Sequence, residues 1–383
     1  MCRGKLSFVG LAVLGLCITT LAAVPAAAMD VGSDAGDQQA LVARDLGTGR
    51  VYVDCDRGKT ITSSLEKKPN KGKLELYIQG TCQEVVFLQR DGVTITSTKP
   101  GTTLIGGIQV AHSAGVTISG FTIRDNDATI ESAIEAIEGS SITIENMEFL
   151  NIINRAIRIR DSVATIRNVH IDTTGTVGIL ARGSHITFDG DIVSDNSFQA
   201  GIVLTGSSNA FNKTGNISAS GSPFGIIVQE ASSFEAVFGP VAANNNLAVG
   251  ISVAGNSSFS YGFANLEANN NASFGLFIDE GSKFATFAGF FPETRLEGNG
   301  VAGVLIQKES QLAFAGPTFI TDSPFGLFSD ASYVTLAATS FSNIANADVV
   351  LQFGSQGTFG DGNSIATLVC DPSVLSRGST TCP

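Results

Sequence analysis

The chain has no tryptophan, and its basic residues are few: 23 Lys and Arg face 35 Asp and Glu, a net charge of −12. A nucleic-acid partner needs a basic face, so this balance excludes one. No segment shows sustained helical periodicity, which excludes a helical domain. Beyond Val24 there is no second long apolar run, so the mature chain carries no membrane-spanning helix. What the chain does have is glycine and phenylalanine, 43 and 25 residues, in an apolar and turn-rich sequence. Its charge is uneven: from Gly190 onward 5 Lys and Arg face 15 Asp and Glu, against 18 and 20 before it.

The N-terminus sets the compartment. Arg3 and Lys5 precede an apolar run from Leu6 to Val24, and Ala26, Ala27 and Ala28 offer small residues for cleavage. Residues 1–28 therefore read as a secretory signal peptide, followed by an acidic lead-in linker over 29–50. The stretch Leu14-Gly15-Leu16-Cys17 departs from a lipoprotein box, because Leu16 stands where a small residue is needed. The expected location is secreted, periplasmic or cell-surface. Four cysteines remain after cleavage, and local pairing, Cys55 with Cys82 and Cys370 with Cys382, avoids an end-to-end bridge. Loops of these lengths are worth about 3–4 kcal/mol each in the chain-entropy model.

The body of the sequence repeats itself. "NNNLAVGISVAGNSSF" at Asn244 returns as "NNNASFGLFIDEGSKF" at Asn269. Aligned on the small residue of the phrase, the copies fall at Ala133, Ala156, Gly178, Gly201, Gly225, Gly250, Gly275, Gly303 and Gly326, with a weaker one at Asp348. The period runs from 22 to 28 residues, the signature of a solenoid. The segments are short, β-branched and aromatic, separated by Gly, Asn and Ser. Three short strands per turn predict an all-β parallel β-helix of about ten coils over residues 51–353, with a C-terminal cap over 354–383. An N-terminal cap is expected from a short helix over Thr60–Lys68. Asparagine tolerates the left-handed backbone of a tight corner and stacks in ladders, so its runs read as structural. Asp125 and Asp127 are the only calcium candidates, with no recognisable calcium loop, and no cofactor is otherwise expected.

From Lys59 to Gly107 the chain reads "KTITSSLEKKPNKGKLELYIQGTCQEVVFLQRDGVTITSTKPGTTLIGG", followed by "GVTISGFTIRDN". This resembles the opening of right-handed parallel β-helix proteins of the pectate-lyase-like superfamily: a capping helix, a strand ending in Gly-Thr-Cys, and the first coils. The resemblance covers Lys59 to about Leu351 and implies the fold. It leaves the activity open, because this fold hosts lyases, hydrolases, esterases, epimerases, adhesins and tailspikes. No catalytic set of those branches is intact. The pectate-lyase Trp-x-Asp-His stretch has no counterpart, and of the polygalacturonase motifs only Arg158-Ile159-Arg160 is similar to one.

One charged constellation stands out between Arg124 and Asp189. The repeat phase stacks Glu135 beneath Arg158, with Arg160 beside it and Arg182 one coil on; Glu145, Arg167 and Asp189 form another column. Arginine forks bind carboxylates, so Arg158, Arg160, Arg167 and Arg182 are candidate carbohydrate-binding residues. Candidate catalytic groups are Arg158, Arg160, Glu135, Asp161, His170 and His185, which have the chemistry for β-elimination or hydrolysis of a uronate polymer. The competing reading is structural: opposite charges on neighbouring coils pair as ladders. A second column, Leu180, Val203, Ile227, Ser252, Phe277, Leu305 and Phe328, turns apolar. It is either covered or a contact surface for a partner or another copy. The functional expectation is an exported protein recognising extracellular polysaccharide or a cell-surface glycan. The alternatives are a lyase or hydrolase working through the Arg158 region, and a non-catalytic adhesin or structural surface protein.

Overall fold

The computed structural model describes residues 49–66, 72–97, 99–124, 129–287 and 292–382. The expected signal segment, the lead-in as far as residue 48, Asp125 and Asp127 lie outside the described residues. Gly49 and Arg50, placed in the lead-in by sequence, already belong to the first strand, Gly49–Asp54.

The described strands are parallel and form three faces of a β-solenoid. Face A contains Ser132–Ile137, Arg155–Arg160, Val177–Arg182 and their successors as far as Leu368–Cys370. Face B runs from Gly49–Asp54 to Leu375–Gly378, and face C includes Ile192–Ser197 and Ile217–Ser220. The expected phase is realised: Ile134, Ile157, Ile179, Ile202, Ile226, Ile251 and Leu276 stand in register in successive coils. Each is fully buried, worth about 1.5–3 kcal/mol per side chain. On face B the interior is aromatic: Phe234 stacks on Phe259 at 4.8 Å and Phe259 on Phe284 at 5.0 Å.

The three asparagines of the repeated phrase do three jobs. Asn244 Oδ1 accepts the backbone N–H of Asn269 at 2.7 Å, Asn245 holds a left-handed φ of 57°, and Asn246 points inward. There Asn246 Nδ2 donates to Asn271 Oδ1, and Asn271 Nδ2 to Asn299 Oδ1, each at 3.1 Å. Ser222 and Ser323 flank this amide ladder below and above. At the corner between faces A and B a serine column does the same work. The N–H groups of Ser140, Ser162, Ser184, Ser208, Ser232, Ser257 and Ser282 each donate to the next coil's serine Oγ. Backbone donors turned away from the strand ladders at the corners are thus satisfied inside the rod.

Two boundaries differ from expectation. The solenoid has about fourteen turns rather than ten. Some of the additional ones precede Ala133, where Thr81–Leu88 and Thr103–Ala111 bend from face C onto face A, the second carrying the phrase as Gly107-Ile108-Gln109-Val110. Past Gly354 the strands Gln356–Phe359, Leu368–Cys370 and Leu375–Gly378 continue the parallel ladders, so the coil persists into the segment expected to be a separate cap. The described part of the N-terminal helix is Ile61–Glu66, whose first N–H groups bond to the Glu84 carboxylate. Disulfides join Cys55 to Cys82 and Cys370 to Cys382.

Candidate functional site

Face A is polar only in its early coils. Its outward row runs Phe87, Gln109, Glu135, Arg158 and then Leu180, each in register with the next. Strand alternation drives the intervening side chains inward and leaves this row on the surface. A cleft of about 300 Å³ opens here, lined by Phe87, Gln109, Glu131, Glu135, Arg158 and Arg160 among others.

Arg158 is clamped rather than free. Its Nη1 donates to Glu135 Oε1 at 3.0 Å and also pairs with Glu131. Gln109 Nε2 donates to the other Glu135 oxygen at 3.0 Å, and Arg155 lies 3.8 Å from Glu131. Burial raises the Glu135 carboxyl above its ordinary range; Arg160, the Gln109 hydrogen bond and Arg155 pull the other way and do not cancel it. Burial likewise lowers the Arg158 guanidinium, helped by repulsion from Arg160 and Arg182. These two arginines stand in register on adjacent coils, about 4.8 Å apart. Among the described residues neither guanidinium forms a hydrogen bond or ion pair. The Arg182 stem lies over Gly206, where a β-carbon would sit 3.1 Å from Arg182 Cγ. Arg160 thus lines the cleft without a hydrogen bond or ion pair, with Arg182 in register on the next coil, beside a carboxyl biased toward its neutral form.

The other candidates lie elsewhere. Arg167 sits on face B between Glu145 at 3.2 Å and Asp189 at 2.6 Å, which is the structural ladder. His185 is exposed on face B and His170 on face C, so neither joins Arg158. Asp161 turns the corner after Arg160 with a left-handed φ of 50°. Phe87 and Gln109 were missed by sequence reasoning, although Gly107-Ile108-Gln109-Val110 is a copy of the repeat phrase. Extending the Glu135 column backward to the residue between Ile108 and Val110, and then to the one between Val86 and Leu88, would have located them.

The ladder on face B makes its own prediction. Asp189 is held down to about 2, chiefly by the Thr214 hydroxyl and then by Arg167. A depressed carboxylate stabilises the fold above its unfolded pKa, near 4, and loses that contribution as pH falls toward 2. Thr214→Val should therefore lower stability at neutral pH, and its gap to the wild type should close as pH falls toward 2, where the Asp189 contribution is lost in both. Thermal melts across that range check it.

The apolar row beyond Arg182 is covered. Val203 and Ile227 are buried, and Phe277 is only 5% exposed. Phe277 lies between Ser252 and Leu305 in register, with the Phe274 ring centroid 6.2 Å away. Of the two readings of this row, the burial of Val203, Ile227 and Phe277 favours the covered one, with Leu180, Leu305 and Phe328 half-buried.

Residues 106–272 match the family described as "Right handed beta helix region". The fold is a right-handed parallel β-helix. No curated protein sequence matches it. Among solved structures, this β-helix superposes on the A-module of the mannuronan C-5 epimerase AlgE6 of Azotobacter vinelandii. The TM-score is 0.56 and the identity 14%, covering 81% of this chain and 92% of that one. A double mutant of the periplasmic alginate epimerase AlgG gives 0.47 and 12%, over 88% and 84%. The catalytic domain of a GH87 α-1,3-glucanase in complex with nigerose gives 0.44 and 12%, over 91% and 70%. At these identities the likeness establishes the fold.

Proposed function

We propose that this β-helix is exported and recognises an acidic extracellular polysaccharide along face A, with uronate carboxylates meeting Arg160 and Arg182. The observation that carries this reading is the pair of arginines, in register on adjacent coils and without hydrogen bond or ion pair, of which Arg160 lines the cleft. Arg158 holds the cleft's shape through Glu131 and Glu135, while Arg160 and Arg182 keep their donors available. Both disulfides and the signal-like N-terminus support export. A second reading is polysaccharide cleavage, favoured by Glu135: a buried carboxyl with a raised pKa is suited to general-acid work.

Titrating the mature protein with polygalacturonate, alginate and neutral polymers tests both. Binding should be confined to the acidic polymers and weaken with salt. Replacing Arg160 and Arg182 together by alanine should cost roughly tenfold to hundredfold in affinity, since a charged hydrogen bond is worth about 1.5–3 kcal/mol. An unchanged affinity would remove the proposal. Ultraviolet absorbance from an unsaturated product, or new reducing ends, would establish catalysis, and Glu135→Gln should abolish it.

A further inference from the structure

The first coils carry an aromatic surface on face B that the Arg158 cleft does not use. Tyr52 is 65% exposed and stacks on Tyr77 of the next coil, with ring centroids 5.3 Å apart and planes 23° from parallel. Tyr77 is fixed in place. Its hydroxyl donates to Glu75 Oε2 at 2.8 Å, the same oxygen accepts from Arg50 Nε at 3.0 Å, and the Arg50 guanidinium lies 5.9 Å from the Tyr77 ring centroid. The Tyr77 hydroxyl first, and Arg50 second, lower the Glu75 pKa and keep it ionised. The strand Gly49–Asp54 pairs with Leu74–Gln79 and with no other described strand. The stack of rings therefore ends at Tyr52. The strand itself is anchored by Cys55–Cys82 and by Asp56 Oδ1, which accepts the Thr81 N–H at 2.9 Å.

We infer that Tyr52, Tyr77, Arg50 and Glu75 form a second glycan-binding surface, which takes the C–H face of an uncharged pyranose ring on Tyr52. This goes beyond the face A reading and does not depend on it. The chemistry selects the ligand class. An aromatic face is negative at its centre and attracts the polarised C–H groups of a sugar, while the ring buries apolar surface with few rotors to freeze. Arg50 and Glu75 neutralise each other, so an ionic ligand gains little net attraction here. A wholly apolar partner would strip water from that ion pair without replacing its hydrogen bonds. A sugar ring satisfies both conditions, because its edge carries hydroxyls that donate and accept. Further hydroxyls lie along the same rows: Thr94 and Thr96 follow Glu75 and Tyr77, and Ser119 Oγ donates to Thr96 Oγ1 at 2.9 Å.

The absence of tryptophan makes the test direct, since intrinsic emission comes from four tyrosines alone. Neutral xylo-, manno-, cello- and β-1,3-gluco-oligosaccharides are titrated into the full chain while tyrosine fluorescence is read. The wild type should give a saturable change with at least one of them. Tyr52→Ala should weaken that binding by roughly tenfold or more, as expected for a central aromatic anchor, and leave the melting temperature unchanged. Tyr52→Phe should retain it, because the ring and not the hydroxyl makes the contact. The Arg160→Ala, Arg182→Ala protein should also retain it, so that loss of acidic-polymer binding on face A and loss of neutral-sugar binding on face B are read separately. No saturable response to any neutral sugar overturns the inference, as does a response that Tyr52→Ala leaves intact. A Tyr52→Ala protein that sediments as a smaller species than the wild type overturns it too, since the ring would then be covered by a second copy.

Discussion

Gly250→Arg should abolish the folded protein or lower its melting point more than any other single change considered, while Ser252→Arg should cost far less. A β-carbon on Gly250 would stand 2.7 Å from the Ala243 carbonyl oxygen, 2.8 Å from Asn271 Nδ2 and 2.8 Å from the Gly275 carbonyl oxygen. Two of these atoms are backbone and the third belongs to the amide ladder, so none can swing aside. Any side chain here parts adjacent coils and breaks the Asn246–Asn271 hydrogen bond together with the register above it. The cost is placed at about 4 kcal/mol or more, the range of severe overpacking combined with a broken buried network. Ser252 stands two residues away on the outward row, in register with Ile227 and Phe277. Ser252 is itself buried, but on the outer side of the sheet, where arginine's long stem can carry its charge to water, at about 1–3 kcal/mol. Paired thermal melts check the difference. Equal melting points would contradict the assigned strand phase.

Phe277→Asp is the second large effect. The substitution removes an aromatic ring worth about 1.5–3 kcal/mol of burial and sets a carboxylate where no cation is in register. Its coil neighbours are Ser252 and Leu305, and Phe274 packs beside it. Burial without a partner favours the protonated form, so the new carboxyl should titrate well above its ordinary value. The variant should therefore melt far below the wild type at neutral pH and recover part of the loss as pH falls toward the raised pKa. Phe277→Leu, which keeps the burial, should lose only a small part of this stability. Light scattering at neutral pH, below the melting point, should report the same particle size for wild type and Phe277→Leu. A dissociation caused by Phe277→Asp with no change in melting point would instead identify the row as a contact surface.

How far the sequence went can be judged residue by residue. Alternation within the repeat fixed which side chains face inward. Ile179 and Ala181, or Leu276 and Ile278, are buried because a pleated strand offers only two faces and the rod has one interior. The same phase placed Glu135 beneath Arg158 and Glu145 beneath Arg167, because equivalent residues of successive coils stack at a fixed spacing. The local spacing of four cysteines, in a chain whose N-terminus reads as a signal peptide, pointed to both disulfides.

Other features needed the tertiary structure. The coils before Ala133 were expected, but the repeat alignment began at Ala133 and passed over the copy at Gly107, so Phe87 and Gln109 on the cleft wall were not placed on face A. Periodicity orders residues along one face and says nothing about distances between faces, so it could not show that His170 and His185 stand away from Arg158. Nor does a column of apolar residues reveal whether its outer side is wet. Phe277 is dry because Ser252, Leu305 and Phe274 close around it. Arg158 and Arg160 are two residues apart and chemically identical; the first is neutralised by Glu131 and Glu135, and the second keeps its donors. That distinction depends on which side chains a coil's neighbours bring within hydrogen-bond reach, and only the stacked structure decides it.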